Sequence, residues 1–240
     1  MNPAPPLAAN VGKQTYGEPL PNVDLSKLIG ALIVIEGPDS SGRSTQIRML
    51  SQWLQQEGYA VAGVGLTRSD LVGDALDEAK QGNVLSPRTM SLFYATDFYD
   101  QLENSMVPAL RAGYIVLADR YIYTLMARDL VRGADRAWLE SLYAKALVPD
   151  AVYLLNVSVT NLAERTLSIH QSMDYWESGM DLGLSRDWYD SFVRYQRRLH
   201  VEYQKLQRDF GFEMINANRG IKIIQKDLRQ RIEQVLARKF

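Results

Sequence analysis

Gly37-Pro38-Asp39-Ser40-Ser41-Gly42-Arg43-Ser44, followed by Thr45, has the composition of a phosphate cradle. Glycines at both ends let the backbone curl until successive N–H groups point inward, where they and the positive end of a following helix can meet phosphate oxygens. The spacing is that of a Walker A loop with one substitution, Arg43 where lysine is usual. A guanidinium keeps the charge but offers a longer, planar fork, so Arg43 is expected either to clamp the β and γ phosphates or to hold them unproductively. Ser44 carries a hydroxyl of the kind that holds Mg²⁺, and Thr45 supports the loop. Gly37, Asp39, Ser40, Ser41, Gly42, Arg43, Ser44 and Thr45 therefore form the expected ATP-binding set.

A cradle of this kind needs a buried strand before it and a helix after it. The unbroken apolar run Ala31–Ile35 supplies the strand, and Gln46–Gln56, with apolar residues at helical spacing, the helix. Further strands are expected at Tyr59–Leu66, Ile115–Ala118, Ala151–Val157 and Phe212–Asn216. Helices are expected at Leu71–Lys80, Pro87–Arg111, 122–147, from Thr160 to Leu167, over 188–208 and at the C-terminus. Continuous apolar strands alternating with helices imply an α/β fold of the P-loop NTPase type, with a central parallel sheet covered on both faces. Residues 1 to about 28 carry five prolines and little periodicity, so they read as an extended arm, an appendage to a domain over 29–240. The polar stretch at about 168–187 reads as a lid.

Composition narrows the chemistry. The 240 residues hold 27 basic and 28 acidic side chains, a formal charge of −1, which gives no bias toward nucleic acid or acidic membranes. No cysteine is present, which excludes disulfides, thiolate metal sites and cysteine nucleophiles, and two histidines are too few for a histidine cage. Any metal is held by oxygen. No apolar run approaches the ~18 residues of a spanning helix, and the N-terminus lacks a leader pattern, so a soluble cytoplasmic protein is expected.

The segment Ile33-Val34-Ile35-Glu36-Gly37-Pro38-Asp39 through Gly42-Arg43-Ser44-Thr45-Gln46 resembles the opening of thymidylate kinases, P-loop nucleoside monophosphate kinases whose loop places an acid at its third position. Asp119-Arg120-Tyr121 resembles that family's Asp-Arg-Tyr motif, Pro149-Asp150 through Val157 its later strand, and Asp174-Tyr175-Trp176-Glu177 its lid sequence. The resemblance covers about residues 30 to 237. It implies ATP- and Mg²⁺-dependent phosphoryl transfer to dTMP or a related nucleoside monophosphate, and a homodimer. Carried over by position, it implies that Asp39 contacts the acceptor sugar and Arg120 the acceptor phosphate, with Arg68 a second phosphate arginine. Asp119 positions Mg²⁺ together with Ser44, Arg165 and Arg186 serve as lid arginines, and Phe98 and Tyr121 stand near the acceptor. Arg43, Asp119, Arg120 and Asp39 are the expected catalytic set.

The chain also departs from the family. Where a helix of the family carries an arginine gripping the acceptor phosphate, this chain offers Asp97 or Phe98; the loop after the second strand is cut to Thr67-Arg68-Ser69-Asp70; and Arg128-Asp129 replace a common aromatic and amide. Two alternatives therefore stay open at the level of sequence: a kinase of a different acceptor, or a nucleotide-binding protein without turnover.

Overall fold

β1 (Ala31–Glu36) is buried along its whole length, as its uninterrupted aliphatic sequence requires. It lies in the middle of a five-stranded sheet with β2 (Val61–Gly65), β3 (Ile115–Asp119), β4 (Ala151–Asn156) and β5 (Glu213–Asn216), all pairings parallel, in the order β2-β3-β1-β4-β5. The computed structural model describes residues 12–82, 85–170 and 173–240. The chain runs from β1 out to the edge strand β2, returns to β3 beside β1, then crosses to β4 on the other side. The order thus reverses at β1, and a crevice opens beyond the carboxyl ends of β1 and β3. Register places Ile35 opposite Asp119, so Glu36, the phosphate loop and Asp119 all emerge at that edge.

Helices cover both faces. On one side α1 (Arg43–Gln56), α7 (Val159–His170) and α9 (Ile221–Lys239) pack Leu50, Leu54, Leu162, Leu228 and Ile232 against Ile33, Ile35 and Leu155. On the other, α3 (Pro87–Gln101), α5 (Ile122–Val131) and α8 (Trp188–Phe210) meet Leu32, Val34 and Val116. Each such aliphatic side chain, fully buried, contributes roughly 1.5–3 kcal/mol, which is what fixes the frame that holds the site. α2 (Gly73–Gly82) packs on α3, and α4 (Val107–Arg111) leads into β3.

Two expected helices are interrupted. Pro87–Arg111 is α3 and α4 joined by a π-helical turn at Leu102–Met106, just before Pro108, which has no N–H to donate. The stretch 122–147 breaks at Gly133, whose φ of +85° ends α5, and a short α6 (Arg136–Leu142) starts where Asp135 accepts from the Trp138 N–H at 2.8 Å.

Residues 1–11 of the expected arm lie outside the described residues, but from Gly12 onward the segment is packed, not an appendage. Thr15 pairs with Leu147, the Tyr16 ring meets Phe210 edge-on, and Leu20 and Leu28 are buried in the core. These apolar residues lack a period because the segment is irregular, so periodicity gave no sign of their burial. Among the described residues no helix is long and apolar enough to cross a membrane.

Candidate active site

The loop between β1 and α1 has the conformation that its glycines permit. Gly37 has φ +150°, and a Cβ there would sit 2.9 Å from Ser41 Oγ and 3.2 Å from the Leu155 carbonyl. Gly42 adopts the left-handed region at φ +90° immediately before α1, whose first-turn N–H groups have no helical acceptor. The hydroxyls of Ser40 and Ser41 are buried without a hydrogen-bond partner. Unpartnered buried donors at the positive end of a helix are suited to an anion such as a triphosphate. A cleft of about 950 Å³ opens over them, lined by Pro38–Gln46, Arg165 from α7, Asp174 and Glu177 from the lid stretch, and Arg219–Ile221.

Glu36 ends β1 and is wholly buried. Its carboxylate accepts from the Tyr121 N–H at 2.9 Å, the Thr124 N–H at 3.3 Å and the Thr124 hydroxyl. It therefore supplies from a neighbouring strand the cap that Tyr121 does not give α5. Burial pushes its pKa up, opposed by those hydrogen bonds. This anchor fixes the turn between β3 and α5, where Arg120 sits at φ +71° with its N–H on the Ile35 carbonyl at 3.0 Å. Among the described residues four non-glycine residues have positive φ, and three of them, Ser40, Thr67 and Arg120, belong to this site. Such conformations cost roughly 1–2 kcal/mol each and are held by their surroundings.

Charges converge here. Arg43 is buried, donating from Nε to Asp119 and from Nη1 to the carbonyls of Gly37 and of Pro38, the latter at 3.1 Å. It is folded back onto its own loop. Asp119 is also bound by Arg68 at 3.0 Å. Asp39 pairs with Arg120 and, at 2.6 Å, with Arg128, and hydrogen-bonds Glu177. Burial alone would raise the pKa of Asp39, but the guanidinium groups of Arg120, Arg128 and Arg43 hold it well below the ordinary range. Glu177 moves the other way, to about 8, because it is buried and faces the Asp39 charge. Arg120 is left with an unpartnered buried Nε, a donor available to an incoming anion.

Asp97, at the position where an arginine was expected to be missing, does not face the crevice. It is buried and accepts from the N–H groups of Thr67 (2.9 Å) and Ser69 (2.8 Å), while Gln101 bridges it to both backbone groups of Gly65. The acid thus shapes the short loop that delivers Arg68 to Asp119.

The structure brings together Asp39, Arg43, Arg68, Asp119 and Arg120 around the phosphate loop. Ser44 and Thr45 line the cleft, and Arg165 reaches the Ala217 carbonyl at 2.8 Å and the Ser41 carbonyl at 3.4 Å. Three expectations need correction. Phe98 and Tyr121 do not line the cleft: they are 3% and 1% exposed and stack edge-on in the core, with the Tyr121 hydroxyl on the Leu147 carbonyl. Arg186 is exposed and does not line the cleft. The expected lid begins as the end of α7, and its residues 171–172 lie outside the described residues. Sequence reasoning missed Glu36, Arg128 and Arg132. Thr124 and Arg128 of α5 and Arg132 at its C-terminal end recur every four residues, a spacing that sets them on one side of that helix and was available in the sequence. Arg132 ties that helix to the lid stretch, binding Asp181 at 2.8 Å and the Trp176 carbonyl at 3.0 Å.

Comparison with known proteins agrees with this geometry. The sequence profile of the family described as "Thymidylate kinase" matches residues 35–228. The chain is 35% identical over 205 residues to "Probable thymidylate kinase 2" of Saccharolobus solfataricus, covering 84% of this chain and 94% of that protein. It is 29% identical to "Probable thymidylate kinase" of Thermococcus gammatolerans (86% and 97% covered) and 25% identical to "Thymidylate kinase" of Brachyspira hyodysenteriae (84% and 99%). By profile match and by identity over most of its length, this chain belongs to the thymidylate kinase family.

Proposed function

We propose that the protein phosphorylates dTMP with ATP, giving dTDP and ADP. The observation that carries this is the meeting, at the carboxyl edge of β1 and β3, of the phosphate loop with Arg120, whose buried Nε lacks a partner, and with the Asp39–Arg128 pair. ATP phosphates are cradled by the N–H groups of the loop and by Ser40 and Ser41, with Arg165 over the cleft. The acceptor phosphate is received by Arg120 and Arg68, and Asp39 exchanges an arginine for the acceptor sugar. An oxygen of the acceptor phosphate attacks the γ phosphorus as its bond to the bridging β–γ oxygen breaks, so no covalent enzyme intermediate forms. The protein's part is to position both nucleotides and surround the transferring group with cations.

Among the described residues no cluster of three or more acidic or histidine side chains exists that could hold a metal by itself. That suits Mg²⁺, which takes most of its ligands from phosphate and water. Ser44 and Asp119 are the residues that would hold it, and it supplies neutralisation of phosphate charge. Asp119 has both oxygens engaged by Arg43 and Arg68, so one of these arginines would have to release it for Asp119 to hold the cation, and Arg43, once released, would be free to bind the phosphates. The lid closes over the transfer and excludes water. The reading includes a homodimer formed through helices flanking the sheet, where Leu92 of α3 is 47% exposed, and a cytoplasmic location.

Mg²⁺-dependent ADP formation from ATP with dTMP, dUMP, UMP, CMP, AMP, GMP or no acceptor tests the assignment, with Arg120→Ala as control. Stimulation by dTMP that Arg120→Ala abolishes is the expected result. ATP binding without stimulation by any monophosphate would sink it.

A further inference from the structure

The α1–α9 pair carries a groove that phosphoryl transfer does not use. It encloses about 490 Å³, within the range of small-ligand sites, between Met49 of α1 and one side of α9, where Lys222, Lys226 and Arg229 follow one another at helical spacing. None of these four residues lines the ATP cleft. The helix distributes its charges unevenly. Asp227 holds Arg219 at 2.6 Å and Arg231 at 2.7 Å, and Lys239 pairs with Asp150. Lys222, Lys226 and Arg229 form no ion pair among the described residues, although Glu233 stands further along the same groove. Three unneutralised cations within about 10 Å along one helix repel one another and attract an anion. Arg229 is held ready for one. Its guanidinium lies over the Trp53 ring, 5.2 Å from the centroid. The buried Gln225 amide, turned as its neighbours require, accepts from Arg229 Nε at 3.1 Å and donates to Gln46 of α1. Both terminal nitrogens of Arg229 are left without a hydrogen-bond partner among the described residues, a fork that matches phosphate oxygens.

We propose that this groove is a second phosphate site, outside the ATP cleft, that takes a chain of two or three phosphates, either free or at the tail of a nucleotide. Charge selects an anion, and the Glu233 carboxylate limits its length: a short polyphosphate ends before it, whereas a long polyanion such as nucleic acid would run onto it. Lys222 stands in the first turn of α9, where Gly220 supplies no side-chain cap and the positive end of the helix adds to the field. The groove also lies one buried amide away from the phosphate-loop helix. Gln225 joins Arg229 to Gln46, and Gln46 donates to the Ile221 carbonyl at 3.1 Å, at the wall of the ATP cleft.

The test is calorimetric titration of the full chain with sodium tripolyphosphate at physiological salt, for wild type and for the double variant Lys222→Gln, Lys226→Gln, whose two positions are exposed. Wild type should take up one equivalent that the double variant loses or holds roughly tenfold more weakly, the scale of two surface ion pairs. Arg229→Gln should weaken the same equivalent. ATP affinity at the cleft should be unchanged in the double variant, which separates a lost site from a disturbed fold. Repeating the titrations with dTTP tells the two sources apart: tighter binding of dTTP in the groove assigns it to a nucleotide tail, and equal binding to free polyphosphate. Equal uptake of tripolyphosphate by wild type and the double variant overturns the inference. So does a groove that takes hexaglutamate and not tripolyphosphate, which would make it a docking surface for an acidic protein segment. The outcome does not depend on which monophosphate the protein phosphorylates.

Discussion

Two aspartates at opposite ends of the sheet beside β1 show how one side-chain type comes to different uses. Asp150, just before β4 at the amino edge, accepts from the Leu32 N–H at 2.6 Å and pairs with Lys13 and with Lys239 at 2.9 Å. It clamps the segment around Lys13 and the last helix to the central strand, and every contact is with the protein itself. Asp119, at the carboxyl edge, is held between Arg43 and Arg68. Those arginines come from a phosphate loop and from a loop strained at Thr67, with unpartnered hydroxyls nearby. Both acids are ion-paired, so pairing alone does not mark function. What separates them is the surroundings: satisfied donors and ordinary backbone at one edge, unpartnered donors and positive φ at the other.

The comparison predicts a crossed result. Arg120→Ala should lower kcat/KM for dTMP by roughly 10³-fold, the scale of a lost phosphate-binding arginine, and Asp119→Ala should cause a similar loss. Arg120→Ala is expected to alter thermal stability little, because it removes repulsion from Arg43 and Arg128 as well as an ion pair; Asp119→Ala leaves the buried Arg43 without its counter-charge, so some loss of stability accompanies its loss of turnover. Asp150→Ala should do the reverse. It leaves Lys13, whose pKa burial already lowers to about 8, without its counter-charge, and should cost about 3 kcal/mol with kcat nearly unchanged. Denaturation and steady-state kinetics on all three variants check this; loss of stability without loss of turnover in Asp119→Ala would undo the distinction.

The two edges were not equally legible in the sequence. The carboxyl edge could be read because a phosphate loop is a local pattern: strand, glycine-bounded turn and helix follow one another in 26 positions from Ala31 to Gln56. Asp119 and Arg120 were readable for the same reason, as charges closing an apolar run. The tertiary substitutions were not. Asp97 looked like a lost phosphate contact, yet its carboxylate works on a backbone loop 28 and 30 residues away. Phe98 and Tyr121 looked like ligand aromatics but pack against each other, since aromatic spacing cannot tell core from cleft. The segment from Gly12 to Leu28 looked like an appendage because its anchors, Lys13 and Tyr16, find partners more than 100 positions further on.

A smaller effect sharpens the functional side. Burial raises the pKa of Asp129 to about 6, against the opposing influence of Ser91, Arg132 and Arg128. An acid whose folded-state pKa lies above its ordinary value loses stability as pH rises through the window between the two, here roughly pH 4 to 6, and carries the full penalty above it. Asp129→Asn should therefore stabilise the fold at pH 7, by up to about 2 kcal/mol. Urea denaturation at pH 4.5 and 7 should find the larger gain at the higher pH.

The weakest predicted effect concerns the carboxyl pair that joins the lid to the phosphate loop. Glu177 is held neutral up to about pH 8 while Asp39 is held ionised far below its ordinary range, so the pair carries one proton at neutral pH. The raised member makes stability fall as pH rises from about 4.5 to 8. The depressed member adds stability that is lost only as pH falls below the ordinary aspartate range, so across pH 5 to 8 the pair's share of the slope comes from Glu177. Glu177→Gln keeps a donor toward Asp39 and removes the titration. Its melting temperature should match wild type at pH 5 and exceed it modestly at pH 8. Parallel curves for the two proteins over that range would mean that Glu177 titrates as a free side chain, and that the lid is not fastened to Asp39 by a shared proton.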